Sequence, residues 1–353
     1  MSDLLLIRAD GNAVIGSGHV MRCLALAEGW QRVGGRAVFA LAECTPALER
    51  RLLSDGIEAM RLDVIRGSAR DATQTAELAK ERHVAWIVAD GYRFDTAWQR
   101  EIKDSGLRLL LWDDYGHAQH YCADLILNQS LNASAKMYSR RDPSTRLLLG
   151  MRYVQLRREF LDWRNTRRDT PARARKVLVT FGGSDPDNVT GKVIQAIGDL
   201  QDVEATVVVG GSNPNVKFLK SSISDLSYPI RLVVDALNMP ELMAWADLCV
   251  SAAGSTCWEL AFLGVPSILT VIAKNQKSIA ESLEEAGIAR NLGLAAAVSP
   301  GAIAKEIDIL ARSPQKRSAM SERSRSLVDG AGASRVVNVL RRVIKKEPGS
   351  VRS

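Results

Sequence analysis

The chain has 353 residues, 46% of them hydrophobic and 25% charged, with a formal net charge of +7. That length supports two cores, because single cores stop growing near about 250–300 residues. No apolar run of about 18 or more residues occurs and no basic-then-apolar leader stands at the start, so neither a membrane association nor export is expected, and a cytoplasmic protein is.

In chain order, short Leu/Val/Ile-rich runs alternate with helical patterns, the signature of β-α-β units and a parallel sheet. Strands are expected at Leu4–Ala9, Ala37–Ala42, Val84–Asp90, Leu109–Asp113 and Leu125–Asn128, with helices at His19–Arg32 and Pro46–Asp55. The pattern weakens through residues 157–176 and restarts with strands at Val177–Phe181, Ala205–Val209, Ile230–Val234, Leu248–Ala252 and Ser267–Ile272. A boundary near 160–174 divides an N-terminal Rossmann-like domain, 1–160, from a C-terminal nucleotide-binding domain with an extension, 175–353. Between Arg140 and Lys176 twelve Lys or Arg face four Asp or Glu; this stretch reads as an exposed inter-domain segment, and the basic run Arg341–Arg352 as a frayed terminus. Five scattered cysteines, never spaced C-x-x-C, argue against a disulfide framework or a zinc knuckle. The basic segments lack the interleaved aromatics of single-strand binders, so no nucleic-acid partner is expected.

Ligands of such units sit beyond the carboxyl ends of the strands. The first such loop runs from Asp10 through Gly11, Gly16 and Gly18 into a helix that starts at or near His19. These glycines allow close backbone approach to a ligand but do not form a dinucleotide fingerprint, since the third glycine of G-x-G-x-x-G would fall at Met21. A histidine in the first helical turn faces the positive end of the helix dipole, which disfavours the imidazolium and leaves a free base beside a glycine-lined loop. Such a group can take a proton from water or a hydroxyl; it can also do no more than bond a nearby carbonyl.

In the second half, a strand runs into Gly182-Gly183-Ser184, with Asp185 as a candidate helix cap and Pro186 suited to a first turn, so that free amides can hold an anion. Another strand enters Gly254-Ser255-Thr256 just before a helix, a second anion site by the same physics. Glu259 has two readings, the acidic end of a Thr256-x-x-Glu259 capping box or an acceptor for ribose hydroxyls. Asn275 and Gln276, after the strand Ser267–Ile272, carry amides that could reach sugar or phosphate oxygens.

Together these loops resemble the UDP-2,4-diacetamido-2,4,6-trideoxy-β-L-altropyranose hydrolases of pseudaminic acid biosynthesis. The matching residues are RADG at 8–11, IGSGHV at 15–20 with Arg22, Asp90-Gly91-Tyr92, Asp113-Asp114, CADLILNQ at 122–129, YVQLRREFL at 153–161, FGGSDPD at 181–187, SAAGSTC at 251–257 with Glu259, and KNQK at 274–277. The resemblance implies a GT-B fold, two Rossmann-like parallel-sheet domains facing across a cleft, similar to the transferase that adds N-acetylglucosamine to the peptidoglycan lipid precursor. It implies attack of water on the anomeric carbon, inversion and release of UDP, with neither cofactor nor metal. His19 aligns with the family's essential histidine, proposed as the base. Tyr92 and Asn275 align with residues near the substrate and Glu259 with the ribose contact. The substrate loops contribute Asp10, Gly16, Gly18, Arg22, Asp114 and Gln276, and the nucleotide loops Gly182, Gly183, Ser184, Gly254, Ser255 and Thr256. The Asp113–Cys122 loop, with His117 and His120, is expected to be a residue longer than the family pattern. Three rival readings stand beside this one: a glycosyltransferase of the same fold, a metal-dependent hydrolase built on Asp113, Asp114, His117 and His120, and a nucleic-acid binder motivated by charge alone.

Overall fold

A computed structural model describes residues 3–12, 14–183, 185–211, 213–224 and 229–346. Contacts divide the chain into two compact units, one of Met1–Asp10, His19–Arg158 and Gly330–Ser353, the other of Gly11–Gly18 and Glu159–Asp329.

The first unit runs β1 (Leu4–Ala9), α1 (Gly18–Gln31), β2 (Arg36–Leu41), α2 (Pro46–Ser54), β3 (Glu58–Arg61), α3 (Ala69–Glu81), β4 (Trp86–Asp90), α4 (Thr96–Asp104), β5 (Leu109–Trp112), β6 (Leu125–Asn128) and β7 (Arg146–Leu149). All seven strands are parallel, in the order β3-β2-β1-β4-β5-β6-β7. β1 is buried along its whole length, as a central strand covered on both faces must be. Its side chains alternate: Leu5 and Ile7 join one core with α1 residues Leu24, Ala27 and Trp30, and Leu4 and Leu6 join another with Ala72 and Ala76 of α3 and Trp98 and Ile102 of α4.

A short helix, α5 (Arg158–Leu161), stands at the division. The second unit runs β8 (Lys176–Thr180), α6 (Val189–Gly198), β9 (Glu204–Val209), α7 (Val216–Ser224), β10 (Ile230–Val234), α8 (Met239–Trp245), β11 (Leu248–Ala252), α9 (Thr256–Leu263), β12 (Ser267–Val271), α10 (Lys277–Glu285), β13 (Ala289–Leu294), α11 (Pro300–Ala311) and α12 (Pro314–Leu327). Its six parallel strands follow the order β10-β9-β8-β11-β12-β13. Val177, Val179, Val207 and Val250 on one face pack with α6 and α11.

The structure departs from the expected 1–160 and 175–353 at the far end. Helix α13 (Gly332–Lys346) packs on the first sheet, where Val336, Val337 and Leu340 share a core with Trp30 and Trp86, and the Trp86 indole donates to the Leu340 carbonyl at 3.3 Å. The basic tail through Lys346 is therefore an amphipathic helix whose Arg341 and Arg342 stay exposed. The segment 140–176 is likewise not simply solvated: it contains β7, and Phe160 and Arg157 are buried.

Candidate active site

In the first sheet Ala9 of β1 lies beside Asp90 of β4, and β5 is the next strand. The loops after β1, β4 and β5 thus leave one edge of the sheet together. Helix α1 starts at Gly18, which puts His19 in its first turn and Arg22 three residues on, along the same helix face.

His19 Nδ1 lies 2.6 Å from Asp90 Oδ1. Arg22 donates to Asp90 from Nε at 2.6 Å and Nη2 at 2.7 Å, and its Nη1 reaches both oxygens of Asp114 at 2.9 and 2.8 Å. Tyr92 Oη donates to Asp114 Oδ2 at 2.7 Å. The Tyr92 ring also meets the His19 ring edge-on, with centroids 5.0 Å apart. The Arg22 guanidinium rests 4.7 Å from the ring centroid of buried Trp112. The structure therefore brings His19, Arg22, Tyr92 and Asp114 together, and adds Asp90.

Burial would push the Asp90 carboxyl up, but the Arg22 charge, with hydrogen bonds from Arg22 and His19, holds it well below the ordinary carboxylate range. With an ionised carboxylate as acceptor, His19 Nδ1 carries the hydrogen and the lone pair belongs to Nε2. Beside the helix start, the environment of His19 includes a buried carboxylate partner from a strand 71 residues away. Burial and Asp114 push the Tyr92 hydroxyl well above its usual range, so it is a donor throughout the physiological span.

Asp10 differs from its expected place among substrate contacts. It is 5% exposed; Oδ1 accepts the amides of Ala42 and Glu43 at 2.7 and 2.8 Å, and Oδ2 accepts from Arg8 Nη1 at 2.8 Å. Both oxygens are committed to fastening the ends of β1 and β2. Arg8, fully buried, also grips Asp71 through Nε and Nη2 at 2.8 and 2.9 Å, which makes the first residue of the RADG run a core ion pair.

The four residues of the metal reading part company. Asp113 caps its own loop, accepting the amides of Tyr115 and Gly116 at 2.8 Å and that of His117 at 3.1 Å, as well as the Tyr121 hydroxyl. His117 Nδ1 lies 2.9 Å from Asp113 Oδ2. Burial opposes ionisation of Asp113, yet His117 and Tyr121 bring it down to about 2. Asp114 belongs to Arg22 and Tyr92, and His120 pairs with Asp142 at 2.7 Å.

In the second unit, the Gly11–Gly18 segment is folded on Asn12, whose carbonyl accepts the amide of Gly16 at 2.9 Å and whose side chain accepts those of Val14 and Ile15 at 2.8 Å. Gly16 has φ +75 and Gly182 φ +80, in the left-handed region that favours glycine. A Cβ on Gly183 would lie 2.4 Å from Ser17 Oγ and 3.0 Å from its backbone nitrogen, and one on Gly18 3.3 Å from Ser255 Oγ. Gln276 Nε2 would stand 3.6 Å from a Cβ on Gly254, and Gln276 Oε1 accepts the Ile272 amide at 3.0 Å. These contacts bring Gly18, Gly183, Gly254, Ser255 and Gln276 into one neighbourhood of glycine loops. Ser184 lies outside the described residues. Asn275 belongs to the turn of Lys274–Gln276 that precedes α10.

The two expected anion sites differ. Asp185 caps α6 by accepting the amides of Val189 and Thr190 at 2.9 and 2.7 Å. That helix starts at Val189, so Pro186 lies outside it, and the protein's own carboxylate takes two of the first-turn amides that the sequence reading left for an anion. Helix α9 begins at Thr256, and the preceding Ser255 makes no side-chain capping bond. Thr256 is thus a first-turn residue rather than the cap, which removes the capping-box reading of Glu259.

The signal for Asp90 was present in Asp90-Gly91-Tyr92 at a strand end. What linear spacing hides is that β4 adjoins β1, so that Asp90 meets the residue after the glycine loop.

Residues 177–336 match the glycosyltransferase family 28 C-terminal domain. The chain is 27% identical over 285 residues to the UDP-2,4-diacetamido-2,4,6-trideoxy-β-L-altropyranose hydrolase of Campylobacter jejuni, covering 80% of this chain and 97% of that protein. It is 23% identical over 272 residues to the uncharacterized protein MJ1062 of Methanocaldococcus jannaschii, covering 75% of this chain and 55% of that protein, so it spans about half of that relative's length. Among solved structures, MurG of Acinetobacter baumannii superposes with a TM-score of 0.63 at 18% identity, over 96% of this chain and 99% of that one. Anabaena Alr3699/HepE, solved in complex with UDP-glucose, gives 0.63 at 15% identity, over 97% and 99%. The fold is of the GT-B class, two parallel-sheet α/β units. Among the described residues no helix is long and apolar enough to cross a membrane.

Proposed function

We propose that the chain hydrolyses a UDP-activated diacetamido-trideoxy sugar, in the biosynthesis of a nonulosonic acid of the pseudaminic type, by inverting attack of water at the anomeric carbon. The observation that carries this reading is the His19–Asp90 pair. A carboxylate holding Nδ1–H fixes the ring and its tautomer and leaves Nε2 as the basic atom, the arrangement a general base requires. As the water oxygen bonds to the anomeric carbon, Nε2 takes its proton, and the bond to the diphosphate oxygen breaks with its electron pair leaving on UDP. Asp90 stabilises the imidazolium so formed.

One base suffices because a nucleoside diphosphate leaves without being protonated, unlike the alkoxide that obliges glycosidases to use two carboxyl groups. What it needs is stabilisation of the charge growing on the diphosphate, which fixed backbone amides supply. In this reading His19 is the base and the loops at Gly182–Gly183 and Gly254–Thr256 hold the nucleotide, with Glu259 on the ribose and Asn275 and Gln276 toward sugar or phosphate. Arg22, Tyr92 and Asp114 form the wall beside the sugar. Arg22 bonds both Asp90 and Asp114 and so occupies the carboxylate oxygens a divalent cation would need, and the rate should survive chelation. A nucleotide-activated substrate supports a cytoplasmic setting for the reaction.

The relative named as this hydrolase supports the sugar assignment, and the neighbour holding UDP-glucose supports the nucleotide. The second reading, transfer to a sugar or lipid hydroxyl, is favoured by the glycosyltransferase domain over residues 177–336. Incubation with the UDP-sugar in ¹⁸O-labelled water and no acceptor decides. Release of UDP with label in the sugar is the expected result. Label in UDP would mean attack at phosphorus, and turnover only after an acceptor is added would establish transfer.

A further inference from the structure

The Asp113–Cys122 loop carries His120, which the proposed reaction does not use. Its neighbours are informative. Tyr121 forms a parallel bridge to Arg141, with the Tyr121 amide donating to the Arg140 carbonyl and the Asp142 amide to the Tyr121 carbonyl, both at 2.9 Å. In an extended segment, residues two apart share a face, so His120 and Cys122 lie on the same side of Tyr121 while Asp142 comes from the bridged segment. The imidazole, the thiol and the carboxylate each present one donor atom within 4.8 Å of the others.

We propose that His120, Cys122 and Asp142 form a zinc site that ties the segment before β6 to the segment before β7. The donor set is the one zinc selects: an imidazole nitrogen, a thiolate and a carboxylate oxygen, with water as fourth ligand. Tetrahedral bonds of about 2.0–2.3 Å need donors roughly 3.5 Å apart; His120 Nε2 and Asp142 Oδ1, now hydrogen-bonded at 2.7 Å, would give up that bond and part slightly to admit the ion. The backbone on both sides is held before any metal arrives, by the bridge, by Thr96 Oγ1 on the His120 amide at 2.9 Å and by Gln99 Oε1 on the Cys122 amide at 3.0 Å. The His120 and Asp142 side chains are 38% and 45% exposed, which leaves an open approach, while Cys122 is buried.

Burial and the Asp142 carboxylate push the Cys122 thiol up, and Arg100 of α4 pulls the other way. An incoming dication displaces the thiol proton and, with one thiolate and one carboxylate, leaves a neutral cluster. The donors precede the first residues of β6 and β7, whereas Asp90 is the last residue of β4 and His19 and Asp114 follow β1 and β5. Its three donors are separate from the groups that make the His19, Arg22, Tyr92, Asp90 and Asp114 contacts described above. The ion is accordingly a clamp and takes no part in hydrolysis, so the proposal stands or falls apart from the functional reading above.

The test is titration of the full-length, EDTA-stripped protein with Co²⁺, followed by thiolate-to-cobalt charge transfer in the near ultraviolet and the ligand-field bands of tetrahedral cobalt. One equivalent should saturate both signals, and Zn²⁺ should bleach them. Cys122→Ser should abolish the charge-transfer band, Cys44→Ser should keep it, and His120→Ala, which removes a side chain outside the core, should weaken binding by about tenfold or more. A wild-type chain without the band at one equivalent, a band that persists in Cys122→Ser, or one lost in Cys44→Ser would overturn the assignment.

Discussion

The first unit's site and the second unit's glycine loops solve opposite problems. Around His19 the chain packs four ionisable groups into contact and satisfies them with one another: Arg22 alone makes four hydrogen bonds of 2.6–2.9 Å to two carboxylates. Around Gly183 it removes the side chain so that the Ser17 backbone and hydroxyl can approach. The first arrangement fails when atoms are taken away and the second when atoms are added, and the two kinds of damage should be separable in the laboratory.

The largest effect is expected from subtraction at the base. His19→Ala should lower turnover by about 10²- to 10⁴-fold while UDP binding, measured by calorimetry, stays near wild type; parallel loss of both would remove the base role. Arg22→Met should cost about 3–5 kcal/mol in denaturant titration, because it strands Asp90 and Asp114 as buried, uncompensated carboxylates. Addition is tested by Gly183→Ala. Its methyl would meet both the side chain and the backbone of Ser17, for a loss of about 1–3 kcal/mol together with weakened UDP binding and an intact pre-folded first unit.

A titration probes the loop that carries Asp114. Asp113 titrates at about 2 rather than at the ordinary 3.8, a lowered value, so its stabilisation is complete above the unfolded pKa and is lost as the pH falls through about 2. The loss should amount to about 2 kcal/mol and should vanish in Asp113→Asn, as read from melting temperatures between neutral and strongly acidic pH. The smallest effect compares two helix starts. Asp185→Ala should destabilise by about 0.5–2 kcal/mol through loss of the α6 cap, whereas Ser255→Ala, which makes no cap bond, should stay within about 0.5 kcal/mol and act on nucleotide affinity alone.

How much of this was readable differs between the same two regions. Strands such as LLLIRA announce themselves because a central parallel strand is apolar on both faces, whereas β3, with the sequence EAMR and no fully buried residue, carries no apolar pattern and forms only because β2 offers it a partner. The glycine loops were visible as residue types at strand ends. The charge network was not, because Arg22 meets Asp90 and Asp114 across 68 and 92 residues, and only the strand order sets that meeting. Asp185 shows the converse limit: Gly-Gly-Ser-Asp-Pro reads as an anion cradle, yet the acid in the motif turns back onto Val189 and Thr190.

Helix α13 gives the assembly order of the molecule an unusual shape. Trp30 and Trp86 are laid down early in synthesis, but the helix that seals them is made only after the entire second unit has left the ribosome. Until then the first sheet holds an uncovered indole-rich face, a natural client for a holdase chaperone, and a nascent chain stalled before Gly332 would present it indefinitely.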